Sequence, residues 1–327
     1  MSLSEKTHSV TARAPHRLEW PTLLVAALCY AVWAAASVWP AGAGTVPAAV
    51  ALAAAIALHS SLQHEVVHGH PFGNQTLSDL IVFPAVGLYI PLGRFRTLHL
   101  AHHHDPTLTD PHDDPESNYL DPEKWERLSP ASRLVLRFNN TLLGRMLIGP
   151  ALSLMIMYRD DIRRVVRGDR AILRDYLLHL AGLLPVIWWL STIATIPPGA
   201  YFAAAYGGLS IVKIRTFLEH RAHQRAAARS VVIEDRGIFA FLFLNNNFHA
   251  VHHAHPNTPW YRLPAEYRRR REEFLRRNGG YRYRSYYDVF KQYFLAAKDP
   301  VPHPLWRGRV AHGIREATGK DEERAAL

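Results

Sequence analysis

Three short strings in this chain are dense in imidazole: HEVVHGH (64–70), HLAHHHD (99–105) and HAVHHAHP (249–256). His64 and His68 are four residues apart, so on a helix they share one face. His99, His102 and His103 sit at spacings of zero, three and four, and His249, His252 and His253 repeat that pattern. The chain carries 20 His in 327 residues but one Cys, Cys29. One cysteine allows neither an internal disulfide framework nor a thiolate zinc site. Cys29 itself lies in an apolar run and reads as a small buried hydrophobe. A zinc ion takes about four ligands in a closed site and three in a catalytic one. Eight or nine clustered imidazoles instead suit two metals with open positions. Imidazole is acceptable to iron, zinc and copper alike, so residue type does not name the metal. Two irons acting on dioxygen are the use favoured here.

Read alone, His64-Glu65-Val66-Val67-His68 is the zinc-protease signature, with a general-base glutamate between two ligands. That reading needs a third ligand. The extended form wants histidine at position 74, which is Asn74. Intramembrane metalloproteases take an aspartate from a distant membrane helix, yet the later apolar runs hold no acidic residue. A protease also leaves the second and third clusters without a role. A metal or heme transporter would string histidines along apolar helices, where only His59 and His179 lie.

The clusters must be carried by elements that bring them together. Apolar runs at Pro21–Trp39, Thr45–Leu62, Tyr176–Ile196 and Pro198 to about Val212 are each free of charge. They predict about four transmembrane helices in two hairpins. The first is expected to be a retained helix rather than a cleaved leader. The linkers Pro40–Gly44 and Pro197–Gly199 carry no charge, whereas Lys6, Arg13, Arg17 and the arginines from Arg159 to Arg174 flank the helices. The positive-inside tendency then puts both linkers outside and all three clusters on the cytoplasmic side. Leu77–Leu92, broken by Pro84, Gly87 and Pro91, predicts a re-entrant or interfacial piece, and Met146–Tyr158 a segment along the membrane surface. The expectation is one all-α integral membrane domain, 1–327, with a cytosolic histidine-rich cap. Its core spans about residues 20–300, with loosely ordered ends at 1–16 and 312–327.

The ordered set HxxxH, HxxHH, HxxHH on such a chain resembles the integral-membrane fatty acid desaturase/hydroxylase superfamily. The match covers roughly residues 20–265, including GRFRTLHLAHH (93–103) and NNNFHAVHHAHPNTPWYRLP (245–264). The resemblance implies a non-heme di-iron enzyme that uses dioxygen and two electrons. Its iron ligands would be His64, His68, His99, His102, His103, His249, His252 and His253. Relatives recruit one more histidine after the last membrane helix; His220 in LEHRAH (218–223) fits, with His223 in reserve. Glu219 is a candidate to orient a ligand, and Asn246 and Asn247 are candidates to do likewise or to cap a helix. Many acyl desaturases carry aspartate where this chain has Glu65, and alkane-hydroxylase relatives carry glutamate. The expected activity is acyl-chain desaturation, with carotenoid or alkane hydroxylation or ketolation as the alternative. His70, His104 and His255 are extra to the pattern.

The chain contains no heme-binding cytochrome segment, cysteine cluster or dinucleotide glycine fingerprint. A separate electron donor is therefore implied, of ferredoxin, rubredoxin or cytochrome b5 type. Such donors are acidic, and the net charge of +10 would steer them. The run Arg268–Arg271 reads as attraction to anionic membrane lipid rather than to nucleic acid. Acyl chain length, head group and double-bond position are not specified by any residue. The expected location is the inner or plasma membrane.

Overall fold

The computed structural model describes residues 18–40 and 42–306. The expected loose ends, with Lys6, Arg13 and Arg17, lie outside the described residues. Helices α1 (Trp20–Ser37) and α2 (Thr45–Val67) come first, followed by α3 (Gln75–Ile81) and α4 (Leu92–His104). Short helices α5 (Pro122–Glu126), α6 (Pro130–Asn139) and α7 (Leu142–Leu147) lead into α8 (Gly149–Val166), α9 (Arg170–Thr192) and α10 (Pro198–Thr216). The C-terminal part holds α11 (Ile238–Leu242), α12 (His249–Ala254), α13 (Leu263–Arg269), α14 (Arg271–Arg277) and α15 (Tyr286–Tyr293). Two-residue strands β1 (Val232–Ile233) and β2 (Arg282–Tyr283) pair in parallel. The architecture is an all-α integral membrane fold.

Among the described residues three helices, α1, α2 and α9, are long and apolar enough to cross a membrane. The fourth expected crossing forms as α10, but Lys213 and Arg215 in its last turn leave it less apolar than the others. Helix α2 is central, packed by both α1 and α10. Small residues allow the close approach: a Cβ on Gly208 would fall 2.6 Å from Ile56 Cγ2. Polar ties inside the bundle are few and paired. Trp33 Nε1 donates to Tyr201 Oη at 2.8 Å, and Cys29 is buried with Sγ 3.2 Å from the Ala55 carbonyl. The second pair is splayed, because α10 lies on α2 rather than along α9. Helix α9 turns Leu177, Leu180, Leu184, Ile187 and Trp188 outward, as a helix facing lipid would.

The segment between α3 and α4 is irregular, as its prolines require, and enters the helix layer. There its backbone has to find partners among neighbouring helices. The Ala85 amide donates to the Gly182 carbonyl at 3.0 Å, Tyr201 Oη donates to Val86 O at 2.8 Å, and His179 Nε2 to Leu88 O at 2.8 Å. His179, one of the two histidines within the apolar runs, is thus a clamp on this irregular segment. The other, His59, sits 3.1 Å from Tyr30 Oη.

Helix α4 is then held at its start. Arg94 makes a bidentate pair with Asp161 of α8 at 2.9 and 2.7 Å, and Tyr176 Oη of α9 donates to the same carboxylate at 3.0 Å. Both charged groups are buried. Gly93 leaves room for the buried Asp175 carboxylate of α9, since a Cβ there would lie 2.4 Å from Asp175 Oδ1. These contacts fix the height and rotation of α4, which carries the second histidine cluster. Beyond α7, the 146–158 region continues as α8 with Leu147, Met155 and Ile156 exposed.

Candidate metal centre

The clusters meet where α2, α4 and α12 end. Two groups of ligand atoms form, each with its atoms within 4.8 Å of one another: His64, His68, His99, His103 and His252, and His102, His220, His249 and His253. All nine sequence-predicted residues are brought together, divided five and four. His103 and His253 stack across the division, with ring centroids 4.2 Å apart and planes at 14°. Of the two choices in 218–223, His220 enters the site. His223 stays outside and accepts the Arg225 amide at 3.0 Å.

Helical spacing presents the rings, and a surrounding set of acceptors turns them. Asp114 Oδ1 lies 2.8 Å from His102 Nδ1, and Glu116 Oε1 lies 3.1 Å from His99 Nδ1. Ser230 Oγ is 3.2 Å from His220 Nδ1. Asn246 Oδ1 is 3.3 Å from His249 Nδ1, with Glu219 Oε1 3.6 Å away. Glu219 is itself paired with Arg215 at 2.9 Å and accepts from Asn246 Nδ2 at 3.2 Å. A carboxylate only accepts, so His99 and His102 each donate an Nδ1–H outward, which leaves Nε2 as the atom that each can offer a metal once that nitrogen is unprotonated.

Those inward nitrogens are the test of a metal. Nε2 atoms face one another at 3.1 Å (His68 and His99), 2.9 Å (His102 and His220), 2.9 Å (His220 and His249) and 3.0 Å (His103 and His252). His64 Nε2 and His253 Nε2 are buried without any hydrogen-bond partner. Buried nitrogens without a partner cost free energy unless a cation accepts their lone pairs. The donor set fits two metal ions held by imidazole.

Protonation follows the same logic. Burial first, then neighbouring imidazoles, holds His220, His249, His252 and His253 well below the ordinary histidine value. Burial and His99 push His103 down to about 3. His102 differs. Burial opposes its charge, but the hydrogen bond to Asp114 and the nearby Glu116 outweigh it and raise His102 to about 9. Burial would also raise Glu116, yet the adjacent His99 and His102 hold that carboxyl well below its usual range.

Asp114 and Glu116 were not singled out from sequence. They sit in the 105–121 loop, where Thr109 adopts φ 78°, a strained value for a β-branched residue. Asp114 Oδ2 accepts the Thr109 amide at 2.8 Å, which folds the loop back over α4. The run of acids just after the second cluster (HDDPES, 112–117) was the available signal. The roles of the asparagines divide: Asn246 orients His249 and Glu219, whereas Asn247 donates to Ile233 O at 2.6 Å and holds β1. The extra histidines lie outside both groups. His70 Nδ1 pairs with Glu19 at 2.7 Å, His104 Nδ1 contacts Leu100 O, and His255 faces Arg270.

Glu65 turns its back on the ligand atoms. Its Oε2 accepts the Trp260 amide at 3.1 Å, and Oε1 lies 3.8 Å from Nδ1 of His64, the nitrogen on the far side of the ring from Nε2. Trp260 Nε1 in turn donates to Thr22 Oγ1 at 3.2 Å. The glutamate thus ties the first cluster to the PWYRLP segment and to α1, and does not stand where a protease base must stand.

Comparison with known proteins agrees with this geometry. The fatty acid desaturase family model matches residues 37–285. A β-carotene ketolase from Paracoccus sp. (strain N81106 / MBIC 01143) is 25% identical over 215 residues, covering 64% of this chain and 72% of the ketolase. With a family match over most of its length and its three histidine clusters gathered at one place, the chain belongs to the fatty acid desaturase family.

Proposed function

We propose that the chain is a membrane oxidoreductase that desaturates the acyl chain of a lipid with dioxygen, using two iron ions held by the nine histidines. The observation that carries this reading is the division of those imidazoles into groups of five and four, with His64 Nε2 and His253 Nε2 buried and unpartnered within them. Two irons, when bound, supply the reduction of dioxygen and the oxidising power that no side chain has. Two adjacent methylenes, dioxygen, two electrons and two protons balance against one double bond and two waters. The chain's own residues hold and orient. Asp114, Glu116, Asn246 and Ser230 fix the imidazole tautomers, and burial of His64, His99, His102, His249 and His252 keeps water from the centre. The apolar substrate reaches the site from the bilayer. Electrons come from a separate acidic donor protein of ferredoxin, rubredoxin or cytochrome b5 type, steered by the chain's positive charge. The histidines face the cytoplasm in this reading, supported by the arginines of 159–174 flanking α9 on its clustered side.

A second reading has its own support. The similarity to a β-carotene ketolase favours insertion of oxygen into a carotenoid ring by the same centre. One experiment separates them: expression with a compatible donor, followed by mass spectrometry of total lipids and metal analysis of the purified chain. Two irons per chain and a new unsaturated acyl chain are expected. An oxygenated carotenoid or alkane would transfer the assignment to the second reading. A single zinc without iron would end both.

A further inference from the structure

Helix α6 is odd for a ten-residue helix: it buries no side chain. Leu134, Val135 and Phe138 are exposed on it, and Phe294 and Leu295 are exposed next to it. The neighbourhood is fixed by the Leu143 amide donating to Phe294 O at 3.0 Å and by a bridge between Thr141 and Ala297. Helix α6 is joined to the membrane helices through α7, which packs on both α6 and α10 and whose Leu147 carbonyl accepts Tyr206 Oη of α10 at 2.6 Å.

Beside α6 lies a cavity of about 330 Å³, walled by Trp125, Ala297, Pro300, Val301 and Pro302, with Arg137 at its edge. Arg133 and Arg137 both stand over the Trp125 ring, at 5.6 and 5.5 Å. Arg133 is spent on the Trp125 and Glu126 carbonyls. Arg137 is exposed and has no carboxylate or carbonyl partner among the described residues. The one acid in the wall, Asp299, accepts Tyr119 Oη at 2.5 Å and pairs with Lys298 at 3.1 Å, so its charge is answered from behind.

We propose that one anionic phospholipid of the bilayer docks at this place, its phosphate against Arg137 at the cavity and an acyl chain along the exposed Leu134 and Phe138 of α6. A guanidinium is the natural partner of a phosphate. A choline head is disfavoured, because both guanidiniums already crowd the one aromatic ring that could receive a quaternary ammonium. The site is independent of the metal centre and of the reaction proposed above.

The test uses the full chain in phosphatidylcholine nanodiscs and reads tryptophan fluorescence. The Trp125 contribution is the difference between the native chain and Trp125→Phe. Acyl-brominated phosphatidylglycerol should quench that contribution several-fold more than brominated phosphatidylcholine at equal mole fraction. Arg137→Gln should bring the two lipids level, while Arg137→Lys should keep a preference. Native mass spectrometry should find one phosphatidylglycerol retained by the native chain and lost from Arg137→Gln. Equal quenching by both lipids, a preference that survives Arg137→Gln, or no quenching of Trp125 would each overturn the proposal. So would inorganic phosphate displacing the quenching lipid at millimolar concentration, since the site would then read a free anion.

Discussion

An imidazole offers a metal one lone pair, and which nitrogen offers it is decided by whatever binds the other. That makes Asp114 and Glu116 as consequential as the rings they face. Asp114→Asn should lower metal affinity or turnover by roughly 10–100-fold, the usual cost of removing such a partner; competition with a chromophoric chelator measures it. His102→Ala should abolish product and cost the chain bound metal, read by elemental analysis. Glu65→Gln keeps an oxygen for the Trp260 amide, so activity should fall by much less than the roughly 10²–10⁴-fold that loss of a general base costs. A loss of that size in a steady-state assay would restore Glu65 to the chemistry.

At the scale of elements, the clusters are held by contacts far from the imidazoles. Arg94 and Asp161 are buried partners at the root of α4. Arg94→Met leaves a buried carboxylate with only the Tyr176 hydroxyl to answer it and should cost about 3–5 kcal/mol, seen as an earlier thermal transition in detergent. Much of this level was legible in the chain. The i, i+3, i+4 spacing is a local signal, so the three histidine faces and the apolar runs could be read directly. Pro84, Gly87 and Pro91 likewise announced the irregular entry to α4. What escaped was set by distant partners. Asp114 and Glu116 depend on a loop turned by the unusual φ of Thr109, which no periodicity reports. The apolarity of α9 and α10 says that they meet lipid or protein but not which. So the expected second hairpin gave no sign that α10 would lie on α2.

For the whole molecule, the centre ties stability to pH in the metal-free protein. His220, His249, His252 and His253 resist protonation in the fold, whereas the unfolded chain takes up those protons below about pH 6.5. The metal-free fold should therefore lose stability as pH falls below that value. His102 works in the other sense, its contribution being present below about 6.5 and lost as pH rises through about 9. Its Nε2 proton must leave before a metal binds, so metal affinity should climb with pH up to about 9, measurable by chelator competition across a pH series. The stacking of His103 on His253 has one more effect. Each ring is the wall against which its counterpart is seated, so filling either half of the centre sets in place part of the other. Iron titrated into the empty protein should pass from vacant to doubly loaded with little of a half-filled species. A long-lived singly loaded form would mean that the two halves assemble as strangers.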